Sequence, residues 1–443
     1  MRASRVLLAL AVVLVAVGAG VLLGRGTAPE RDAPAGRPAP GGRDVRTVAP
    51  QLAVGLDTSE ATLLAPPAAD APAFEGARRL VGEIAPRTVR LDVRWDLLQP
   101  VAEQPLDPDR PLGDGCGRGG VPPCAGAQTL RAALAALAAR QRERPGRFGV
   151  LVSFWGMPAW AGAPGTGCAA ADAREGARPL APDREDAYRA AIRAVAEAAA
   201  QAGARIDGWS PWNEPNAPYF LDPQRSTCDA DGSGAPVAAG PYGRLVRAMD
   251  AELHAGGPAH GPLVVGELAA WAAPSRRAVP ADEFLRALPD DVLCRADVVS
   301  LHGYLEARPR SGRGEPIAAG LAALDRRRCL DDVPAWITET GVGAPRAGGA
   351  RDASGTILRA ECRLMHQQLV RWFHAPRVTA AFQYSVREDR AFPVGLLDER
   401  LRRTFPVADV WRAWGARAPT APPPALPSSC RDAAPRGESA PPG

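Results

Sequence analysis

The stretch "IDGWSPWNEPN", residues 206–216, begins as a short apolar run and ends on a carboxylate between two prolines. Residues 206–213 have the composition of a β-strand, and Glu214 stands directly after that strand. An ordinary surface glutamate needs no such rigid and aromatic surroundings. Because seven other parts of the chain carry similar short apolar runs, the place of Glu214 depends on how those runs assemble.

Short apolar runs alternate with longer Ala/Leu/Arg-rich helical patterns along the chain. The predicted strands are 52–57, 88–95, 148–155, 206–213, 263–271, 296–304, 334–340 and 378–385. The predicted helices are 74–84, 129–141, 184–202, 242–254, 281–287, 320–328, 357–373 and 408–414. Eight strand-then-helix units predict an α/β fold, a single (β/α)8 TIM barrel with long loops after its strands. Two doubly wound domains are the alternative, and the absence of a linker-like break in the middle favours the barrel.

The predicted barrel domain, residues 51–417, has biased sequence on both sides. Arg2 and Arg5 precede the apolar stretch 6–24, so residues 1–24 predict either a signal peptide or a membrane anchor. Residues 25–50 are Pro/Gly-rich and predict a flexible linker, while 418–443 form a Pro-rich tail. The chain is therefore expected to be extracellular or at the cell surface, with a possible membrane tether through residues 6–24.

The eight cysteines include no C-x-x-C pair and show no zinc-ligand spacing. In an exported protein they predict disulfides. The proposed pairs are Cys116–Cys124, Cys168–Cys228, Cys294–Cys329 and Cys362–Cys430. Only the first closes a short loop, and sequence leaves the connectivity of the others open.

Two glutamates follow strands on opposite sides of the predicted barrel. Glu214 follows the fourth strand and Glu339 ends the seventh, so both are expected at the face where this fold carries its active sites. Two carboxyl groups facing each other across one sugar ring can cleave a glycosidic bond. Trp209 and Trp212 predict an apolar setting that favours the protonated form of Glu214, the acid, whereas Glu339 is expected to stay ionised.

The motifs "WNEPN" (212–216) and "WITETG" (336–341) resemble the signature of glycoside hydrolase clan A, the retaining (β/α)8 glycosidases that include cellulase-like and β-xylosidase-like enzymes. The resemblance extends loosely over residues 51–414. It implies that Glu214 is the acid/base, that Glu339 is the nucleophile and that Asn213 binds the sugar 2-hydroxyl. In "VRLDVRW" (89–95) it places Arg90 near the nucleophile.

The sixth predicted strand ends in "LHGY" (301–304), where His302 and Tyr304 share a face. Both are candidate substrate-binding residues, and Tyr304 is the better candidate for a hydrogen bond to Glu339. The eighth strand reads "AAFQYSVRED" and lacks the tryptophan that many clan members place beneath the sugar. Tyr384 or Phe382 is the candidate replacement, unless the platform is missing.

Several tryptophans stand at or just past strand ends, where a flat ring can stack on a sugar or simply fill the core. They are Trp95, Trp155, Trp160, Trp212 and Trp271, of which Trp155 and Trp160 are the better candidates for sugar binding. No nucleotide-binding or metal-binding motif is present, so no cofactor and no metal are expected. The net charge of +4 and the lack of a basic stripe argue against nucleic acid as a partner.

These patterns together predict an exported, monomeric, retaining glycoside hydrolase that cleaves β-glycosidic bonds of an oligo- or polysaccharide. A non-catalytic carbohydrate-binding barrel, a cell-envelope transglycosylase and a structural cell-envelope protein are the alternatives. The sugar, the linkage and endo or exo action stay open.

Overall fold

The structure is a computed structural model, and it describes residues 49–66, 71–117, 119–165, 175–229, 231–271, 273–275, 278–304, 315–343, 351–389 and 392–431. The predicted signal or anchor, all but the end of the predicted linker, and Cys168 lie outside these residues. Within the described ranges, no helix combines the length and the apolar composition needed to cross a bilayer.

Eight parallel strands form one sheet in barrel order. They are β1 Ala53–Asp57, β2 Thr88–Arg94, β3 Gly149–Trp155, β4 Ile206–Ser210, β5 Val264–Leu268, β6 Val298–His302, β7 Ala335–Thr340 and β8 Val378–Tyr384. Each pairs with its neighbour in sequence, and β1 pairs with β8. A parallel bridge between Trp209 and Leu263 joins β4 to β5, where the Trp209 amide donates to the Pro262 carbonyl at 2.9 Å. The predicted TIM-like barrel is confirmed, and the two-domain alternative is wrong.

The helices follow the strands in the predicted order. They are α1 Glu75–Ile84, α2 Leu130–Glu143, α3 Glu185–Ala202, α4 Ala239–Leu253, α5 Ala281–Ala287, α6 Pro316–Leu324, α7 Gly355–Phe373 and α8 Val407–Gly415. The Ala-rich composition of α3 favours a helix, which ends at Gly203 in a left-handed conformation with φ 71°. Helix α6 begins four residues before the predicted start because Pro316 suits the first turn of a helix.

Apolar side chains fill two layers. The larger cluster lies between strands and helices, and a smaller one consists only of strand residues in the barrel interior. Phe382 belongs to the smaller cluster, is 1% exposed and packs near Trp336. Gly55 makes room for it, because a Cβ at that position would overlap the Phe382 ring. Phe382 is therefore a core residue and is wrong as a candidate sugar platform.

Three of the expected disulfides are present: Cys116–Cys124, Cys294–Cys329 and Cys362–Cys430. Disulfides are typical of proteins in oxidising compartments. The predicted partner of Cys228 lies outside the described residues.

The first part of the Pro-rich tail, residues 418–431, packs on the barrel instead of extending from it. The Leu52 amide donates to the Pro419 carbonyl at 2.9 Å, and Arg363 in α7 donates to the Cys430 carbonyl at 3.0 Å. The disulfide from Cys362 to the fully buried Cys430 attaches the same segment to α7.

Candidate active site

The carboxyl ends of the strands bring Glu214, His302 and Glu339 together. Glu214 follows β4, His302 is the last residue of β6, and Glu339 is the last residue but one of β7. One oxygen of each carboxylate and one ring nitrogen of His302 all lie within 4.8 Å of one another. The two glutamates that the sequence placed on opposite walls therefore converge on one point.

Glu339 is largely buried, with 8% of its surface exposed. The Tyr304 hydroxyl donates to its Oε2 at 2.7 Å, which is the hydrogen bond expected from the sequence, and Nη1 of Arg90 lies 3.1 Å from its Oε1. Burial raises the pKa of Glu339, although His302 and Arg90 lower it. The expectation that this carboxyl is simply kept ionised overlooked the cost of burying it.

Glu214 has a polar partner where the sequence predicted an apolar setting. Its Oε1 lies 2.7 Å from Nδ1 of His302. Trp209 and Trp212 are fully buried, and their indole N–H groups donate to the backbone carbonyls of His260 and Phe220. Both rings belong to the larger apolar cluster between strands and helices.

His302 is the link between the two glutamates. Its Nδ1 lies 2.7 Å from Glu214 and 3.5 Å from Glu339. Burial lowers the pKa of His302, but the two carboxylates raise it by more than burial lowers it. The pKa therefore lies above its ordinary value. Its Nε2 is buried without a hydrogen-bond partner among the described residues.

The donor set of Glu214, His302 and Glu339 is also one that transition metals accept. A ring nitrogen 2.7 Å from a carboxylate oxygen, however, has the spacing of a hydrogen bond that shares one proton. The geometry favours a proton in this position.

Arg90 is the hub of the site's buried charges, and side chains on or just after β1, β2, β3, β4, β5 and β7 surround it. Its guanidinium contacts Asp57 at 2.5 Å, Asp92 at 3.0 Å, Ser153 at 3.1 Å, Asn213 at 2.7 Å, Glu267 at 2.9 Å through two nitrogens, and Glu339 at 3.1 Å. Arg90 is 1% exposed, so these contacts are shielded from water. The predicted closeness of Arg90 to Glu339 is present.

Four members of this network were not singled out from the sequence: Asp57, Asp92, Ser153 and Glu267. Each lies in the last three residues of its strand, so the rule that selected Glu339 would also have found them. Burial raises the pKa of Asp57 and Asp92. Burial also opposes the charge of Glu267, but Arg90 and a hydrogen bond from Ser153 outweigh it and lower its pKa.

The tryptophans divide into fully buried and half-buried rings. Trp95 and Trp212 are fully buried, so neither offers a face to a sugar. Trp160 packs edge-on against Trp95 at 5.7 Å and donates to the Gln99 carbonyl at 2.9 Å. Trp155 is half-buried, with the Arg94 guanidinium 4.0 Å from the centre of its ring. Trp271 is half-buried too.

Tyr384 ends β8 and is half-buried beside Glu339. Its ring lies 6.3 Å from that of Tyr304 and 5.9 Å from that of Phe392, and Phe392 lies 4.8 Å from Tyr304. Burial raises the pKa of Tyr384, and the negative charge of the nearby Glu339 is the second largest cause. A cavity of about 320 Å³ adjoins Tyr384, and Asp57, Glu60 and Asp92 also line it.

The chain is similar in fold to solved (β/α)8 structures. It superposes on SrfJ from Salmonella typhimurium with a TM-score of 0.53 and 11% identity, over 86% of this chain and 77% of that one. It also matches a glycoside hydrolase family 30 subfamily 8 xylanase from Clostridium acetobutylicum (TM-score 0.46, 14% identity, 84% and 73% of the two chains). A third match is the family 53 catalytic domain from Ignisphaera aggregans (TM-score 0.49, 15% identity, 84% and 98%).

No protein-family model matches the sequence, and the search of curated proteins found no match. At these identities the similarity to solved structures is one of fold. The fold that they share is the (β/α)8 barrel.

Proposed function

We propose that the protein is a retaining glycosidase that cleaves β-glycosidic bonds of an oligo- or polysaccharide by double displacement. The observation that carries this proposal is the convergence of Glu214 and Glu339. One carboxylate oxygen of Glu214 lies within 4.8 Å of one carboxylate oxygen of Glu339. Retaining enzymes hold their two carboxyl groups roughly 5–5.5 Å apart, whereas inverting enzymes leave about 6.5–9.5 Å for a water molecule.

In the first step Glu339 attacks the anomeric carbon while Glu214 donates its proton to the departing oxygen. The glycosidic bond breaks and an ester forms between the sugar and Glu339. In the second step Glu214, now ionised, takes a proton from water as the water oxygen attacks the anomeric carbon. The ester breaks, Glu339 leaves as a carboxylate, and the sugar keeps its β configuration.

The neighbouring groups have matching roles in this proposal. Arg90 and Tyr304 orient Glu339, since both contact its oxygens. His302 holds Glu214 at 2.7 Å. Asn213 accepts from Arg90 through its oxygen, which leaves its amide N–H groups for the sugar 2-hydroxyl.

The half-buried rings of Tyr384, Trp155 and Trp160 are the proposed sugar-contacting surfaces. The reaction as written needs no cofactor. Residues 1–24 are proposed to direct the protein to the cell exterior, either as a cleaved signal peptide or as a membrane anchor. The exported protein is proposed to be a monomer.

A mechanism-based label tests the assignment of the nucleophile. A 2-fluoro β-glycoside matched to a cleaved aryl glycoside is expected to inactivate the protein and to add its sugar to Glu339, as read by peptide mass spectrometry. Glu339→Gln should neither turn over substrate nor take the label. A label on another residue, or turnover by Glu339→Gln, would refute the assignment.

A second variant tests the acid/base. Glu214→Ala should still form the ester from an aryl glycoside with a good leaving group, and added azide should restore turnover and give a β-glycosyl azide. An α-azide product would contradict retention. Oligosaccharide binding without hydrolysis of any glycoside would instead support the carbohydrate-binding barrel.

A further inference from the structure

Glu267 is a fully buried carboxylate that the double displacement leaves without a role. It is the fourth residue of β5 and has a left-handed backbone conformation with φ 50°, which is rare for a residue other than glycine. The Ser153 hydroxyl donates to its Oε2, and its own amide donates to the Ser300 hydroxyl at 2.7 Å. Every polar group of this residue is thus held by a neighbour from another strand or loop.

The side chain of Glu267 reaches Glu339 through a single intermediate. Nε and Nη2 of Arg90 each donate to a different oxygen of Glu267 at 2.9 Å, a bidentate pair that fixes the plane of the guanidinium. Nη1 of the same guanidinium lies 3.1 Å from Glu339. Glu267 therefore sets the orientation of Arg90 at Glu339, because it holds the edge of the guanidinium opposite to the one that faces Glu339.

The backbone of Glu267 contacts the other glutamate. Its carbonyl accepts the amide N–H of Glu214 at 3.0 Å, and Glu214 is itself left-handed, with φ 40°. Strained backbone of this kind persists only where surrounding contacts hold it. One residue thus supports the acid/base through its main chain and the nucleophile through its side chain.

We propose that Glu267 is a positioning residue of the active site, which fixes Arg90 against Glu339 and limits how much of the Arg90 charge Glu339 receives. This inference rests on the proposed glycosidase function. A purely structural explanation is weak, because a buried ion pair gains little stability over apolar packing once desolvation is counted.

The charges around the site give the direction of the effect. The groups that face Glu339 from the packed elements are Asp57 on β1, Arg90 on β2, Glu214 after β4, His302 on β6, Tyr304 after β6 and Tyr384 on β8. Arg90 contacts four carboxylates, so each receives only part of its charge. Removing the charge of Glu267 leaves more of it for Glu339, which stabilises the ionised form of Glu339.

The test is Glu267→Gln, with Glu252→Gln as the matched control. Glu252 is 1% exposed and pairs with Arg189 and Arg193, and none of these residues contacts the site. In Glu267→Gln the acid limb of the kcat/KM profile on an aryl β-glycoside should move to lower pH by roughly one unit. Glu252→Gln should lose stability but keep the wild-type profile.

A second readout does not need turnover. In protein with isotope-labelled glutamate carboxyl groups, NMR titration should show the Glu339 signal, assigned with Glu339→Gln, moving in the same direction in Glu267→Gln. If wild type hydrolyses no glycoside, the proposed function fails and this titration still decides the role of Glu267. An unmoved Glu339 titration, or an equal shift in Glu252→Gln, overturns the inference.

Glu267→Asp serves if the glutamine variant does not fold. It keeps the charge but shortens the side chain, so it cannot reach both Nε and Nη2 of Arg90 with Arg90 in its present position. We expect kcat to fall roughly 10-fold or more while the acid limb stays at its wild-type pH. Wild-type kcat in Glu267→Asp would contradict the positioning role.

Discussion

Nδ1 of His302 lies 2.7 Å from Oε1 of Glu214. The same nitrogen is 3.5 Å from Glu339, so one buried ring couples the two glutamates proposed as acid/base and nucleophile. Charge and orientation at this contact bear on both steps of the proposed reaction.

His302 should make the stability of the protein depend on pH. The pKa of His302 is raised in the folded state, so protonated His302 stabilises the fold. This stabilisation is fully present below the unfolded-state pKa of about 6.5 and is lost as pH rises through the folded-state pKa. Denaturant unfolding of wild type should therefore show this loss above neutral pH, and His302→Asn should not. Parallel curves for both proteins would contradict the prediction. The variant should also lose roughly 100-fold in kcat, because Glu214 loses its orienting partner.

Tyr304→Phe removes the hydroxyl that donates to Glu339. A hydrogen bond to the ionised form lowers a pKa, so its loss should raise the Glu339 pKa and move the acid limb of the pH–rate profile to higher pH. The lost bond to a charged group, about 1.5–3 kcal/mol, corresponds to roughly a 10- to 150-fold fall in kcat/KM.

Tyr188→Phe is the matched control for this prediction. Tyr188 is fully buried and its hydroxyl donates to the Pro211 carbonyl at 2.7 Å, so its loss should cost stability and leave the acid limb in place. Equal profile shifts in the two variants would contradict a specific effect on Glu339.

Glu339→Gln should be more stable than wild type at neutral pH. Burial raises the Glu339 pKa, so the ionised carboxylate opposes folding above the folded-state value, and this cost is absent below the unfolded-state value near 4.5. The gain should therefore shrink as pH falls toward about 4. Thermal unfolding measures it, at roughly 1–1.5 °C in Tm per kcal/mol, because the entropy of unfolding grows with the length of the chain. A lower Tm for the variant at neutral pH would contradict the prediction.

The Cys362–Cys430 disulfide should contribute more to stability than Cys116–Cys124. The two bridges join residues separated by 68 and 8 positions. Loop-closure entropy then gives about 4 kcal/mol for the longer loop and about 2.5 kcal/mol for the shorter one. Guanidinium unfolding of the two Cys→Ser double variants measures the difference. Equal losses in the two variants would contradict the predicted dependence on loop length.

The sequence predicted the barrel well because strand and helix periodicities are local properties. It also selected Glu339, Arg90 and Tyr304, since each stands at or near a strand end of a recognisable motif. It ranked Trp155 above Trp95 as a sugar-binding candidate but did not show that Trp95 is fully buried, because burial depends on what the loops place over each ring.

Glu267 shows the limit of reading one strand at a time. Its strand was predicted, but the residue gains meaning only through Arg90 on β2 and Ser153 on β3, which are 177 and 114 positions away. Nothing in the sequence around Glu267 records those partners.

By itself, the order of apolar runs and helical patterns determined that the chain forms a (β/α)8 barrel and that Glu214 and Glu339 lie at one end of it. Only the tertiary structure decided which groups surround each carboxylate. Burial and charge depend on neighbours brought together by the sheet, so burial proved to raise the pKa of Glu339, and His302 proved to join the pair.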